Sequence, residues 1–159
     1  MKKALFIILV VLFALGSTVK AQKTGYELGI RLGDTYGSSI AFDGMIPIES
    51  GRIHANLALW DDGLTLAGLY NWQFPIVKSL YFYPGVGGTL STAGNEVGIG
   101  AVGEVGLEYK FDIPISIGLD WRPVLGIINY SGFHADGLGL NVRYRFRESL
   151  YVIYLFQPI

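Results

Sequence analysis

The chain has 159 residues, no cysteine and a net charge of −1. The absence of cysteine excludes a disulfide framework and a thiolate metal site, and the lack of positive charge speaks against a nucleic-acid partner, which would need a basic patch. With 51 % hydrophobic residues, 22 glycines and only 16 % charged residues, the composition is too apolar and too rich in glycine for an ordinary water-soluble domain, so a medium other than water is expected to face much of its surface.

Residues 1–21 read as an export signal. Lys2 and Lys3 precede an apolar run over 4–16, which ends in the small-residue junction Val19-Lys20-Ala21. The run has 13 residues, short of the roughly 20 that a membrane-spanning helix needs. The mature chain is therefore expected to begin at Gln22 and to form one domain. Loss of Lys2, Lys3 and Lys20 takes the basic residues from 12 to 9 against 13 acidic ones, a net of −4.

From Tyr26 onward the hydrophobic pattern has a period of two, in segments of about ten residues. In the first, Tyr26, Leu28, Ile30 and Leu32 oppose Glu27, Gly29, Arg31 and Gly33. The second sets Ile40, Phe42, Ile46 and Ile48 against Ser39, Ala41, Asp43 and Met45, and the third sets Ile53, Ala55, Leu57 and Leu59 against Arg52, His54, Asn56 and Trp60. The fourth opposes Leu64, Leu66, Tyr70, Trp72 and Phe74 to Thr65, Ala67, Asn71 and Gln73. In the fifth, Leu80, Phe82, Val86 and Leu90 oppose Tyr81, Tyr83, Gly85, Gly87 and Thr89, and Pro84 predicts a bulge. The sixth is the clearest: Val97, Ile99, Ala101, Val105, Leu107, Tyr109 and Phe111 oppose Glu96, Gly98, Gly100, Glu104, Gly106, Glu108 and Lys110. A slip of one residue would turn its three carboxylates outward. The seventh pairs Ile115, Ile117, Leu119 and Trp121 with Ser116, Gly118, Asp120 and Arg122. The eighth pairs Leu138, Leu140, Val142, Tyr144 and Phe146 with Gly137, Gly139, Asn141, Arg143 and Arg145.

The turns between them, 34–37, 49–51, 61–63, 75–79, 93–96, 112–114 and 130–137, are short, so neighbouring strands must be antiparallel hairpins. An even count of eight suits a single-chain bacterial barrel. The apolar face carries no charge in any segment and gathers aromatic residues at one set of ends, as at a membrane boundary. The polar face is diluted by glycine, which suits a narrow interior. The predicted fold is all-β, an eight-stranded antiparallel up-and-down transmembrane β-barrel over residues 22–146. Its expected location is the cell outer membrane, among outer-membrane lipid, as a monomer.

With the segments placed, the chain resembles the small eight-stranded outer-membrane β-barrel proteins, particularly the short barrels common in Bacteroidetes-type bacteria. The resemblance covers residues 22–146. It rests on the Ala21-Gln22 junction, on Phe111-Asp112-Ile113-Pro114-Ile115 and Gly118-Leu119-Asp120-Trp121-Arg122-Pro123, and on the ending Asn141-Val142-Arg143-Tyr144-Arg145-Phe146. It implies a barrel-assembly machinery as partner during biogenesis, and for Leu140, Val142, Tyr144 and Phe146 the role of the signal that this machinery reads. The chain departs from the pattern by continuing through 147–159, an apolar extension with Leu150-Tyr151-Val152-Ile153-Tyr154-Leu155-Phe156, whose placement the pattern leaves open.

The inward faces collect Glu27, Arg31, Asp43, Arg52, His54, Glu104, Glu108, Lys110, Asp120, Arg122, Arg143 and Arg145, nearly balanced in sign. An eight-stranded barrel is wide enough only for its own side chains, so these residues are expected to form a lumen ionic network and not a pore. Gly98-Ile99-Gly100-Ala101-Val102-Gly103 matches a nucleotide-binding fingerprint in letters but lacks the strand-then-helix context. No catalytic, cofactor or metal site is predicted. The expected function is an integral outer-membrane barrel with a structural, envelope-integrity or loop-mediated role. Two alternatives stay open: a lipid A-modifying enzyme using His134, near Ser131 and Asp136, or His54, and a soluble lipocalin-like periplasmic carrier.

Overall fold

A computed structural model describes residues 25–35, 38–129 and 132–146 of the chain. The export signal, the junction before Gln22, Ser131 and the extension 147–159 lie outside these residues. Alternating apolar and polar residues, rich in β-branched and aromatic types, favour a pleated, half-covered backbone, and the described elements are all strands. These are β1 (Glu27–Thr35), β2 (Ser38–Ile48), β3 (Gly51–Trp60), β4 (Gly63–Asn71), β5 (Phe74–Val77), β6 (Leu80–Ala93), β7 (Glu96–Lys110), β8 (Ile115–Trp121), β9 (Val124–Ile128), β10 (Gly132–His134) and β11 (Leu138–Arg145).

They make a closed antiparallel barrel of eight strands, because β4 with β5, β8 with β9, and β10 with β11 each serve as one strand of the wall. β1 closes the ring against β11, from Glu27↔Arg145 to Gly33↔Gly139. The register fixes the tilt. Followed one way from Leu28, the pairs run Gly44, Ala55, Gly68, Gly88 and Ala101. Followed the other way they run Tyr144 and Ile115, to which Phe111 donates its N–H. Ala101 and Phe111 stand ten residues apart on the same strand line, which with ordinary strand spacings tilts the strands by about 40° and gives a backbone radius of about 8 Å.

Proline accounts for most departures from the predicted segments. The pairing of β6 with β7 continues without a shift through Pro84↔Val105, so Pro84 makes no bulge. On its other side Pro84 accepts a hydrogen bond from Trp72 N–H at 3.0 Å but has no N–H to return, which divides β4 from β5 while Asn71↔Gly85 and Phe74↔Phe82 keep one register. The irregularity lies instead between Pro75 and Val77, and residues 74–77, assigned largely to a turn, are strand. In the seventh barrel strand Pro123 likewise divides β8 from β9: it accepts from Gly103 N–H at 3.0 Å, and β9 carries the strand on to Ile128. Part of the predicted last turn is strand β10, paired with β9. Trp121, mid-strand among the outward aromatics, donates its indole N–H to Ala135 O at 2.6 Å where β10 gives way to β11.

The core is inverted relative to a water-soluble barrel. Among the described residues 33 large apolar or aromatic side chains are exposed, whereas the buried set holds 16 polar or charged residues and only eight apolar ones. The buried apolar side chains Ala41, Ala58, Ala67, Val102 and Val124 face inward in the half distant from the chain ends. At the end where β1 begins and β11 finishes, outward aromatic pairs two residues apart meet edge to face. They are Tyr70 with Trp72 at 4.8 Å, Tyr109 with Phe111 at 4.8 Å, and Tyr144 with Phe146 at 5.0 Å, a favourable arrangement for aromatic quadrupoles.

Candidate functional site in the barrel interior

The inward positions of all eight barrel strands meet in one network of ion pairs and hydrogen bonds. Nearest the chain ends, Arg52 Nη1 donates to Glu108 Oε2 at 2.7 Å and Arg143 Nη1 to Glu108 Oε1 at 2.5 Å. Arg143 Nε donates to Asp43, whose Oδ1 lies 2.6 Å from His54 Nε2. His54 Nδ1 is 3.1 Å from Glu104. Arg122 Nε donates to Glu104 Oε1 at 2.7 Å and its Nη2 to Asp120 Oδ2 at 3.1 Å. Arg31 Nη2 completes the series with a donation to Asp120 Oδ1 at 2.7 Å.

Neutral side chains add further donors and acceptors to the network. Asn56 donates to Asp43 and accepts from Arg122, Asn141 donates to Asp120 at 2.6 Å, and Ser116 donates to Glu27 at 2.7 Å. Gln73 donates to Glu108 at 2.7 Å. A charge taken out of water needs such partners, since an unpaired buried ion costs several kcal/mol. The network belongs to the barrel's own stability before it belongs to any chemistry.

Of the predicted lumen residues, Glu27, Arg31, Asp43, Arg52, His54, Glu104, Glu108, Asp120, Arg122 and Arg143 are buried together. Lys110 sits at the end of the interior, 3.8 Å from Glu27 and 3.7 Å from Glu108. Arg145 lies at the rim and donates to the backbone carbonyls of Phe111 and Ile113. Asn56, Asn71, Gln73, Tyr83, Ser116 and Asn141 were not predicted as network members, although each stands at an inward position of its strand. Leu140, Val142, Tyr144 and Phe146 line the outward face of the closing strand.

The interior leaves little room. A Cβ at Gly139 would overlap the Arg31 guanidinium, one at Gly106 the Tyr83 ring, and one at Gly85 the Asn71 amide. These three glycines therefore make space for specific large side chains. His54 is fully buried, and His134 lies in β10, half-buried, with Asp136 exposed beyond it. Among the described residues no three His, Cys, Asp or Glu side chains are grouped to hold a metal ion. Where His54 approaches its two carboxylates, Arg122 Nη2 stands 3.2 and 3.0 Å from the two ring nitrogens. Comparison with protein-family models gave no match, and comparison with curated proteins gave none either.

Proposed function

We propose that this chain is an integral outer-membrane β-barrel protein with a packed, non-conducting interior, serving the envelope as a rigid wall element that presents short hairpins. The observation that carries this reading is the inversion of the barrel: a closed wall whose outward strand positions are apolar, around an interior of paired charges. In water such a surface would be an aggregation site; in hydrocarbon it is the stable arrangement, because a closed barrel also leaves no strand edge unpaired. A lipocalin-like carrier would need the opposite distribution, with an apolar lumen and a wet exterior. Burial of His54 also argues against chemistry on an external substrate there.

The reading is tested on the natively expressed protein. It should partition with outer membranes, resist detergent unfolding until boiled so that its gel mobility shifts on heating, and give no steady conductance in planar bilayers. Recovery in the soluble periplasmic fraction would overturn the membrane assignment, and a reproducible open channel would overturn the packed interior.

A further inference from the structure

We infer that His54 is a doubly protonated latch at the centre of the lumen, tying two sides of the barrel through its two ring nitrogens and releasing one side when it gives up a proton. This holds for the lumen whatever medium surrounds the outside wall. From β3, His54 directs Nε2 to Asp43 Oδ1 of β2 at 2.6 Å and Nδ1 to Glu104 of β7 at 3.1 Å. Asp43 also accepts from Arg143 and Asn56, and Glu104 from Arg122 and Asn71, surroundings that suit ionised carboxylates, which only accept. A neutral imidazole has one N–H and would turn the lone pair of its other nitrogen towards a carboxylate oxygen. Only the imidazolium donates to both.

The position of Arg122 fits this form. Its Nη2 stands 3.2 Å from Nδ1 and 3.0 Å from Nε2. A point so nearly equidistant from both nitrogens lies over the ring face, because in the ring plane it would overlap a ring carbon. The guanidinium therefore stacks on the imidazole and does not donate in line to either lone pair. Asp120 of β8 accepts from the same Nη2 at 3.1 Å, so Asp43, Glu104 and Asp120 together face the two stacked cations. Tyr83 of β6 meets the ring edge to face at 6.5 Å, Arg143 of β11 stands behind Asp43, and the strand neighbours Met45 and Leu69 are apolar. β2 and β3 are held together by their own ladder, whereas β3 and β7 do not pair. The longer bond, to Glu104, thus crosses the lumen and is the one that deprotonation releases. His54 and both carboxylates are at most 3 % exposed, so water does not replace it.

The test uses the full chain refolded in non-ionic detergent with isotope-labelled histidine, read by ring-nitrogen NMR shifts. There are only two histidines, and His134→Gln assigns their signals. His54 should show two protonated nitrogens at about pH 7.5, where free histidine carries one. Raising the pH further should remove the Nδ1 proton. Over the same interval the folded-to-unfolded ratio in urea should fall by about tenfold or more, as a charge-assisted hydrogen bond is lost without replacement. His134→Gln should keep this fall and His54→Gln should abolish it. Glu104→Gln, which removes one of the two carboxylates, should move the proton loss to lower pH, so the inference stays testable if His54→Gln does not refold. A single ring proton on His54 at about pH 7.5, proton loss without loss of stability, or the same pH dependence in His54→Gln would overturn the latch.

Discussion

Arg143 joins three barrel strands through one guanidinium: it stands on β11, donates to Asp43 on β2, and donates to Glu108 on β7. Removal of its charge would leave Asp43 with only His54 and Asn56 and Glu108 with one arginine fewer, both carboxylates still buried. Arg143→Met should therefore destabilise the barrel by about 3–5 kcal/mol, measured by reversible urea unfolding in lipid vesicles. Adding Asp43→Asn and Glu108→Gln to that variant should recover most of the loss, because the penalty belongs to the orphaned charges. Stability of the single variant within about 1 kcal/mol of the parent would contradict a paired lumen. At this scale the sequence showed which residues face inward, since parity along a strand settles that. It did not show who meets whom. Arg143 and Asp43 are 100 positions apart, and their meeting depends on the shear of the closed ring, which no local pattern encodes.

Strand limits were legible where glycine and polar turn residues stand, and illegible at proline. The Gly94 turn between Ala93 and Glu96 is an example of the first kind: Gly94 has φ of +57°, as a tight two-residue hairpin requires. Pro123 is the opposite case. It sits within a strand whose register passes through it, because one missing donor removes one ladder bond and not the pairing on either side. Glycines within strands carry two different meanings that the sequence does not separate. Gly106 faces inward beneath the Tyr83 ring, whereas Gly68 faces outward with nothing near the place a Cβ would take. Gly106→Ala should cost about 1–3 kcal/mol through overpacking, while Gly68→Ala should be neutral or stabilise by up to about 1 kcal/mol through the unfolded chain. Equal effects in denaturant titrations would mean that the inward glycines are not spacers.

For the whole molecule the decisive property is which medium the wall meets, and here alternation alone is ambiguous, since a soluble barrel alternates equally well. Two outward residues separate the cases. Leu119 lies in mid-wall on β8 and is 51 % exposed; Val77 lies at the rim beside the 78–79 turn and is 62 % exposed. Accessibility is similar at the two, so a water-facing wall would accept a lysine at either position with little change. In a bilayer the two differ in depth. Leu119→Lys should then destabilise by about 2–4 kcal/mol and Val77→Lys by no more than about 1 kcal/mol, measured by unfolding in vesicles. The inward charges cannot mimic such a gradient, because neither side chain enters the lumen. Near-equal penalties at the two sites would remove the bilayer from the account, whatever the barrel's interior proved to contain.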